Sequence, residues 1–218
     1  MNIKACLFDL DGVVVDTARY HFIAWGKIAS ELGFNFPETE NERLKGVSRM
    51  ASLDILLEVG HINIDPSQKN LLAERKNNLY VSYINEMTPD EILPGVIQFL
   101  DELRSEGILI ALGSASKNAT AILDKIKLTE KFDAVIDGNK VSIAKPDPEV
   151  FLKGAAELGV RPESCLVFED AQAGIDAARN AGMHIIGIGQ PENLKNADFV
   201  IPGFQNFNFN ELSALYFQ

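Results

Sequence analysis

The stretch Lys4-Ala5-Cys6-Leu7-Phe8-Asp9-Leu10-Asp11-Gly12 decides the fold. Its apolar run Ala5–Leu10 ends in acidic residues and a turn dipeptide, which reads as a strand buried on both faces. Similar short runs recur at Ile108–Leu112, Ala134–Ile136, Cys165–Phe168 and Ile185–Ile188, with a weaker one at Phe199–Ile201. Helical patterns lie between most of them. Val96, Phe99, Leu100 and Leu103 keep helical spacing before Gly107, and further helices are expected over Ala119–Ile126, Pro148–Leu158 and Ala171–Ala181. Strand and helix alternate to about Ile201, so the fold class expected is α/β, a doubly wound parallel sheet of Rossmann-like form.

Residues 16–93 break the alternation. There the pattern is helical throughout, with stripes at Phe22, Trp25, Ala29 and Leu32 and at Leu72, Leu79 and Tyr83. Gly33, Pro37, Gly46, Gly60 and Pro66 divide it into three or four helices. The segment is too long for an ordinary crossover. It is expected to be a helical cap inserted into an α/β core of residues 1–15 and 94–218.

Of the 218 residues, 46% are hydrophobic, enough for a sizeable core and against global disorder. Against 31 acidic residues stand 20 basic ones, a net charge of −11 that disfavours nucleic acid and membrane surfaces as partners. Cys6 and Cys165, each in a strand-like run, are expected to be free buried thiols. Met1 leads directly into the first strand and no apolar stretch spans a bilayer, so a cytoplasmic protein is expected, with nothing to suggest more than a monomer. The terminal Leu215-Tyr216-Phe217-Gln218 fits an amphipathic tail and also the end of a protease-cleavage tag.

Chemistry concentrates at the strand ends, where open α/β sheets bind ligands. Asp9 and Asp11 are two apart, so they lean to one face while the strand persists. Alone, the pair reads equally well as a cation site or as a polar strand end with an Asp11-Gly12 turn. Glu169-Asp170 follows another strand and on its own is favourable charge for the next helix. Together the two acidic pairs supply the oxygen ligands that Mg2+ requires. Ser114-Ala115-Ser116-Lys117-Asn118 precedes a helix and offers hydroxyls, N–H groups and an ammonium to an anion, although either serine could merely cap that helix. Lys145 singly reads as a surface charge. A carboxylate nucleophile, a metal site, a hydroxyl and an ammonium are the parts phosphoryl transfer needs.

These elements, Asp9-Leu10-Asp11-Gly12, Ser114, Lys145-Pro146 and Glu169-Asp170, resemble the haloacid dehalogenase superfamily of phosphotransferases. The resemblance implies a nucleophile at Asp9, a general acid/base at Asp11, phosphoryl-holding roles for Ser114 and Lys145, and an Mg2+ site at Asp9, Asp11, Glu169 and Asp170. Four segments, 21–25, 44–49, 114–118 and 169–175, are similar to the β-phosphoglucomutase family. That similarity implies interconversion of β-glucose 1-phosphate and glucose 6-phosphate through glucose 1,6-bisphosphate. It assigns a remote phosphate clamp to Arg49, Ser116, Lys117 and Asn118, sugar contacts to Trp25, Lys45, Gly46 and Val47, substrate contact to Ala115, and a cap-coupling role to His21. Singly, His21 and Arg49 read as surface residues, and Trp25 equally as core. Departures are Gly113, where a bulkier small residue is usual, and the stretch Asp137-Gly138-Asn139-Lys140, which aligns poorly.

Two other functions fit fewer residues. A sugar-phosphate phosphatase of the same fold would leave Arg49, Lys117 and Asn118 without a purpose. A non-enzymatic phospho-acceptor module would be smaller, carry its Asp on a middle strand and need no lid.

Overall fold

The computed structural model describes residues 3–216; Met1, Asn2, Phe217 and Gln218 lie outside the described residues. Six strands form one parallel sheet in the order β3-β2-β1-β4-β5-β6. They are β1 (Ala5–Phe8), β2 (Leu109–Gly113), β3 (Ala134–Ile136), β4 (Cys165–Glu169), β5 (His184–Ile188) and β6 (Phe199–Ile201). Strand alternation sends Cys6, Phe8, Ile110, Leu112, Leu166 and Phe168 into one core and Ala5, Leu7, Ala111, Cys165 and Val167 into the other. The two thiols are free, buried and on opposite faces.

Helices cover both faces, as continuously apolar strands require. Helices α4 (Val96–Ser105), α5 (Ala119–Lys125) and α8 (Phe209–Tyr216) close the first core. Helices α6 (Glu149–Glu157) and α7 (Gln172–Asn180) close the second. Phe8 anchors the first core, stacked on Phe168 at 4.7 Å and edge-on to Phe99 at 6.2 Å. Tyr216 is buried against His184 and Phe199, which makes residues 209–216 an integral part of the fold.

Between β1 and α4 lie only helices: α1 (Ala18–Glu31), α2 (Arg49–Val59) and α3 (Pro66–Ile84), with 3-10 turns at Glu38–Leu44 and Pro89–Glu91. Ser48 caps α2 through Ala51 N, and Asp65 with Gln68 forms a capping box ahead of Pro66 on α3. Trp25, Ile28, Leu53, Leu56, Leu57 and Ala73 give this segment its own apolar cluster. The expected stripe on α3 is corrected by the structure. Its buried face is Ala73, Lys76, Tyr80 and Ile84, while Leu72, Leu79 and Tyr83 are half-buried flanks. No described helix is long and apolar enough to cross a membrane.

Candidate active site

From β1 the strands are added first to one side, β2 then β3, and afterwards to the other, β4 to β6, so the winding switches between β1 and β4. The crevice at the carboxyl ends of these central strands is where such sheets bind ligands. Strand β1 stops at Phe8, shorter than expected, so Asp9 and Asp11 occupy the turn beyond it. Gly12 makes that turn feasible: its φ is +83°, and a Cβ there would stand 2.2 Å from Asp170 Oδ2.

Both oxygens of Asp9 are held. Oδ1 accepts from Lys145 Nζ at 2.6 Å and Oδ2 from the Asp11 N–H at 3.0 Å. The Lys145 ammonium also donates to Glu169 Oε2 at 2.8 Å and lies 4.7 Å from the Phe151 ring, which fills the space beside Gly113. Lys145 is therefore a fully buried cation rather than a surface charge, and its carboxylate partners hold its pKa above the ordinary lysine range despite burial. Glu169 Oε1 accepts from Ala171 N at 3.2 Å, and Asp170 Oδ2 is 3.4 Å from Lys45 Nζ. Carboxylate oxygens of Asp9, Glu169 and Asp170 lie within 4.8 Å of one another. Burial pushes the Glu169 and Asp170 carboxyls up, and the Asp9 charge adds to the effect. Three carboxylates against one buried ammonium is a donor set suited to a hard divalent cation.

Asp11, expected to be a fourth ligand, is not in this oxygen group. Its carboxyl interacts electrostatically with Lys76 on α3. Burial, then the charges of Asp9 and Asp170, push its pKa up to about 8, and its Oδ1 has no hydrogen-bond partner among the described residues. It is a half-buried acid with one buried oxygen facing the cavity side of the sheet. Ser114, at the end of β2, is fully buried, with its N–H on Ile136 O and its Oγ accepting from Ser116 N.

A cavity of about 520 Å³ lies between this centre and the helical segment. It is lined by Asp9, Asp11 and Asp170 at the sheet, by Ala115, Ser116, Lys117 and Asn118 beyond β2, and by His21, Trp25, Lys45, Gly46, Val47 and Arg49 opposite. Ser114 and Lys145 are not among its lining residues. Asn118 Nδ2 donates to Asn77 Oδ1 on α3 at 3.1 Å, joining the two halves of the wall.

Lys76, Asn77 and Tyr80 also line the cavity and were missed from sequence. The signal was a lysine in helical register with Ala73 and Tyr80. Lys76 is buried, its Nζ 2.6 Å from His21 Nδ1 and over the Trp25 and Tyr80 rings at 5.0 and 4.6 Å. Burial, then Arg49, lowers its pKa from 10.5 to about 7; burial and Lys76 likewise keep His21 well below the ordinary histidine range. Because the folded pKa lies below the unfolded one, the penalty for burying this ammonium is fully present below pH 7 and gone above pH 10.5. Lys76→Met should therefore raise stability by ~1–3 kcal/mol at pH 6 and by less as the pH approaches 10. Thermal denaturation at the two pH values checks this, and a gain that grows with pH would refute it.

A family model described as haloacid dehalogenase-like hydrolase matches residues 3–182. The chain is 43% identical to a β-phosphoglucomutase of Bacillus subtilis, over 91% of this chain and 89% of that protein. It is 32% identical to a phosphorylated carbohydrates phosphatase of Thermotoga maritima, over 84% of each. The crystal structure of a β-phosphoglucomutase from Clostridium difficile superimposes with a TM-score of 0.93 at 44% identity, covering 98% of this chain and 97% of that one. With most of its length matched in these ways, the chain belongs to the haloacid dehalogenase-like hydrolase family.

Proposed function

We propose that this protein is a β-phosphoglucomutase, interconverting β-D-glucose 1-phosphate and glucose 6-phosphate through bound β-glucose 1,6-bisphosphate. One observation carries the reading. A single cavity is lined at the sheet by the Asp9 carboxylate centre and elsewhere by Arg49, Ser116, Lys117 and Asn118, so one molecule with two phosphates can meet both. The similarity to the Bacillus subtilis and Clostridium difficile mutases supports it. Hydrolysis alone has no use for the second cationic group. One chain carries every group required, in keeping with a monomer.

In the forward direction an Asp9 oxygen forms a bond to phosphorus as the bond from phosphorus to the sugar oxygen breaks. Asp11, protonated near neutrality because its pKa is about 8, gives its proton to the departing oxygen. In the return step a sugar hydroxyl attacks the aspartyl-phosphate, its proton passes back to Asp11, and Asp9 leaves as carboxylate. Lys145 holds Asp9 in place, and the role of holding the transferring phosphoryl falls to Lys145 and Ser114 from behind the cavity lining. Mg2+, held by Asp9, Glu169 and Asp170, would offset charge on that group. Residues 16–93 act as the cap over the core of residues 1–15 and 94–218. Trp25, Lys45, Gly46 and Val47 contact the sugar, His21 couples cap closure to Asp11, and the cap keeps water from the aspartyl-phosphate.

The test follows glucose 6-phosphate and free phosphate together, with Mg2+, β-glucose 1-phosphate and a trace of the bisphosphate. Glucose 6-phosphate should form far faster than free phosphate. In Arg49→Ala the mutase rate should fall about 30- to 100-fold, the worth of a charge-assisted phosphate contact, while phosphate release persists. Free phosphate as the sole product of the unaltered enzyme would make it a phosphatase.

A further inference from the structure

The stretch after β3 that aligns poorly lies against the loop assigned to the remote phosphate. Asp137 is buried, 7% exposed, and receives three donors: Asn139 N on Oδ1 at 2.9 Å, Asn139 Nδ2 on Oδ2 at 3.1 Å and Thr120 Oγ1 on Oδ2 at 3.4 Å. Asn139 Nδ2 also donates to the Lys117 carbonyl at 2.9 Å, and Gly138 N donates to the Ser116 carbonyl at 3.1 Å. Gly138 is pressed so close that a Cβ would lie 2.4 Å from the Ala115 carbonyl oxygen. A carboxylate inside the wall next to an anion site is electrostatically unfavourable to that anion. Here its lone pairs are consumed by the loop rather than offered to the cavity.

From this geometry we infer that Asp137 and Asn139 are positioning residues for the remote phosphate clamp. The trans peptide plane couples each carbonyl to the next N–H. Fixing the Ser116 and Lys117 carbonyls toward residues 138–139 turns the N–H groups of Lys117 and Asn118 the other way, that of Asn118 onto Ser116 Oγ at 3.2 Å. It also sets the backbone from which the Lys117 and Asn118 side chains project. The clamp is thus preorganised before the bisphosphate arrives, and its grip determines whether the intermediate is kept for the second transfer or lost. This inference rests on the mutase reading.

Asn139 is exposed, so Asn139→Ala should fold normally while removing the amide shared by Lys117 and Asp137. The concentration of β-glucose 1,6-bisphosphate giving half-maximal activation should rise about fivefold, the effect of losing the two partly exposed hydrogen bonds of that amide. Lys117→Ala, which removes a direct contact, should show the same signature more strongly. Phosphorylation of the enzyme by acetyl phosphate, which has no second phosphate, should stay within about twofold of the unaltered rate. If Asn139→Ala keeps the original half-activation, or if acetyl phosphate reactivity falls in parallel, the positioning role is overturned while the mutase reading stands. An unaltered enzyme indifferent to the bisphosphate would overturn both.

Discussion

Asp9→Asn is expected to lower mutase turnover by at least ~10⁴-fold and to abolish the covalent phosphoenzyme, because no other group can replace the lost nucleophile. The substitution keeps shape and volume but turns one carboxylate oxygen into an N–H donor. Both oxygens now face donors, the Lys145 ammonium at 2.6 Å and the Asp11 N–H at 3.0 Å, so the new amide meets one of them with hydrogen against hydrogen. That local conflict is offset by removing one of three crowded negative charges. The fold should therefore survive with its melting temperature little changed, which separates a chemical defect from a structural one. Mass spectrometry of acid-quenched enzyme after exposure to the bisphosphate reads the adduct directly. A phosphoryl adduct in Asp9→Asn equal to that of the unaltered protein would show that a different residue is the nucleophile.

The strands were legible because each is a short apolar run closed by a turn, and burial on both faces leaves little room for other patterns. β3 and β6 fall within the bounds their sequences suggest, and β2, β4 and β5 shift by a single residue at one or both ends. The order of the strands was not legible, since it depends on which runs pair across more than a hundred residues. The site divides in the same way. Asp9, Glu169 and Asp170 could be found as acidic residues at strand ends, and the structure brings their oxygens together. Asp11 could not be separated from them by spacing, because the strand ends at Phe8 and the turn re-aims the later side chain. Lys76 was hidden because an apolar stripe at Leu72, Leu79 and Tyr83 is the better pattern, yet the helix is rotated so that a lysine enters the cavity wall. Asp137 and Asn139 act through backbone carbonyls of another loop, a contact for which sequence carries no signature.

Lys145 bonds two members of the carboxylate centre at once, Asp9 and Glu169, and Lys145→Met should strongly destabilise the metal-free protein. The methionine keeps a side chain of similar length beside Phe151 but leaves Asp9 and Glu169, almost fully buried, without the ammonium that bonds both. Removing one partner of a buried pair costs on the order of 3–5 kcal/mol, more than an isosteric replacement of the whole set would. The pH dependence follows from sign. Glu169 is already raised in the folded state, and without Lys145 it rises further. A carboxyl whose folded pKa lies above its unfolded value favours folding in acid and loses that contribution as the pH climbs through the folded pKa. The deficit of Lys145→Met, measured by urea unfolding in a chelator, should thus be small near pH 5 and grow toward pH 8. Adding Mg2+ at pH 8 should recover part of it, because a divalent ion supplies the positive charge the substitution removes. Catalysis should not recover with stability. The cation that fixes Asp9 Oδ1 is gone, and turnover should stay at least ~10²-fold down. A deficit that is constant from pH 5 to pH 8 would mean that Lys145 stabilises the fold by packing alone.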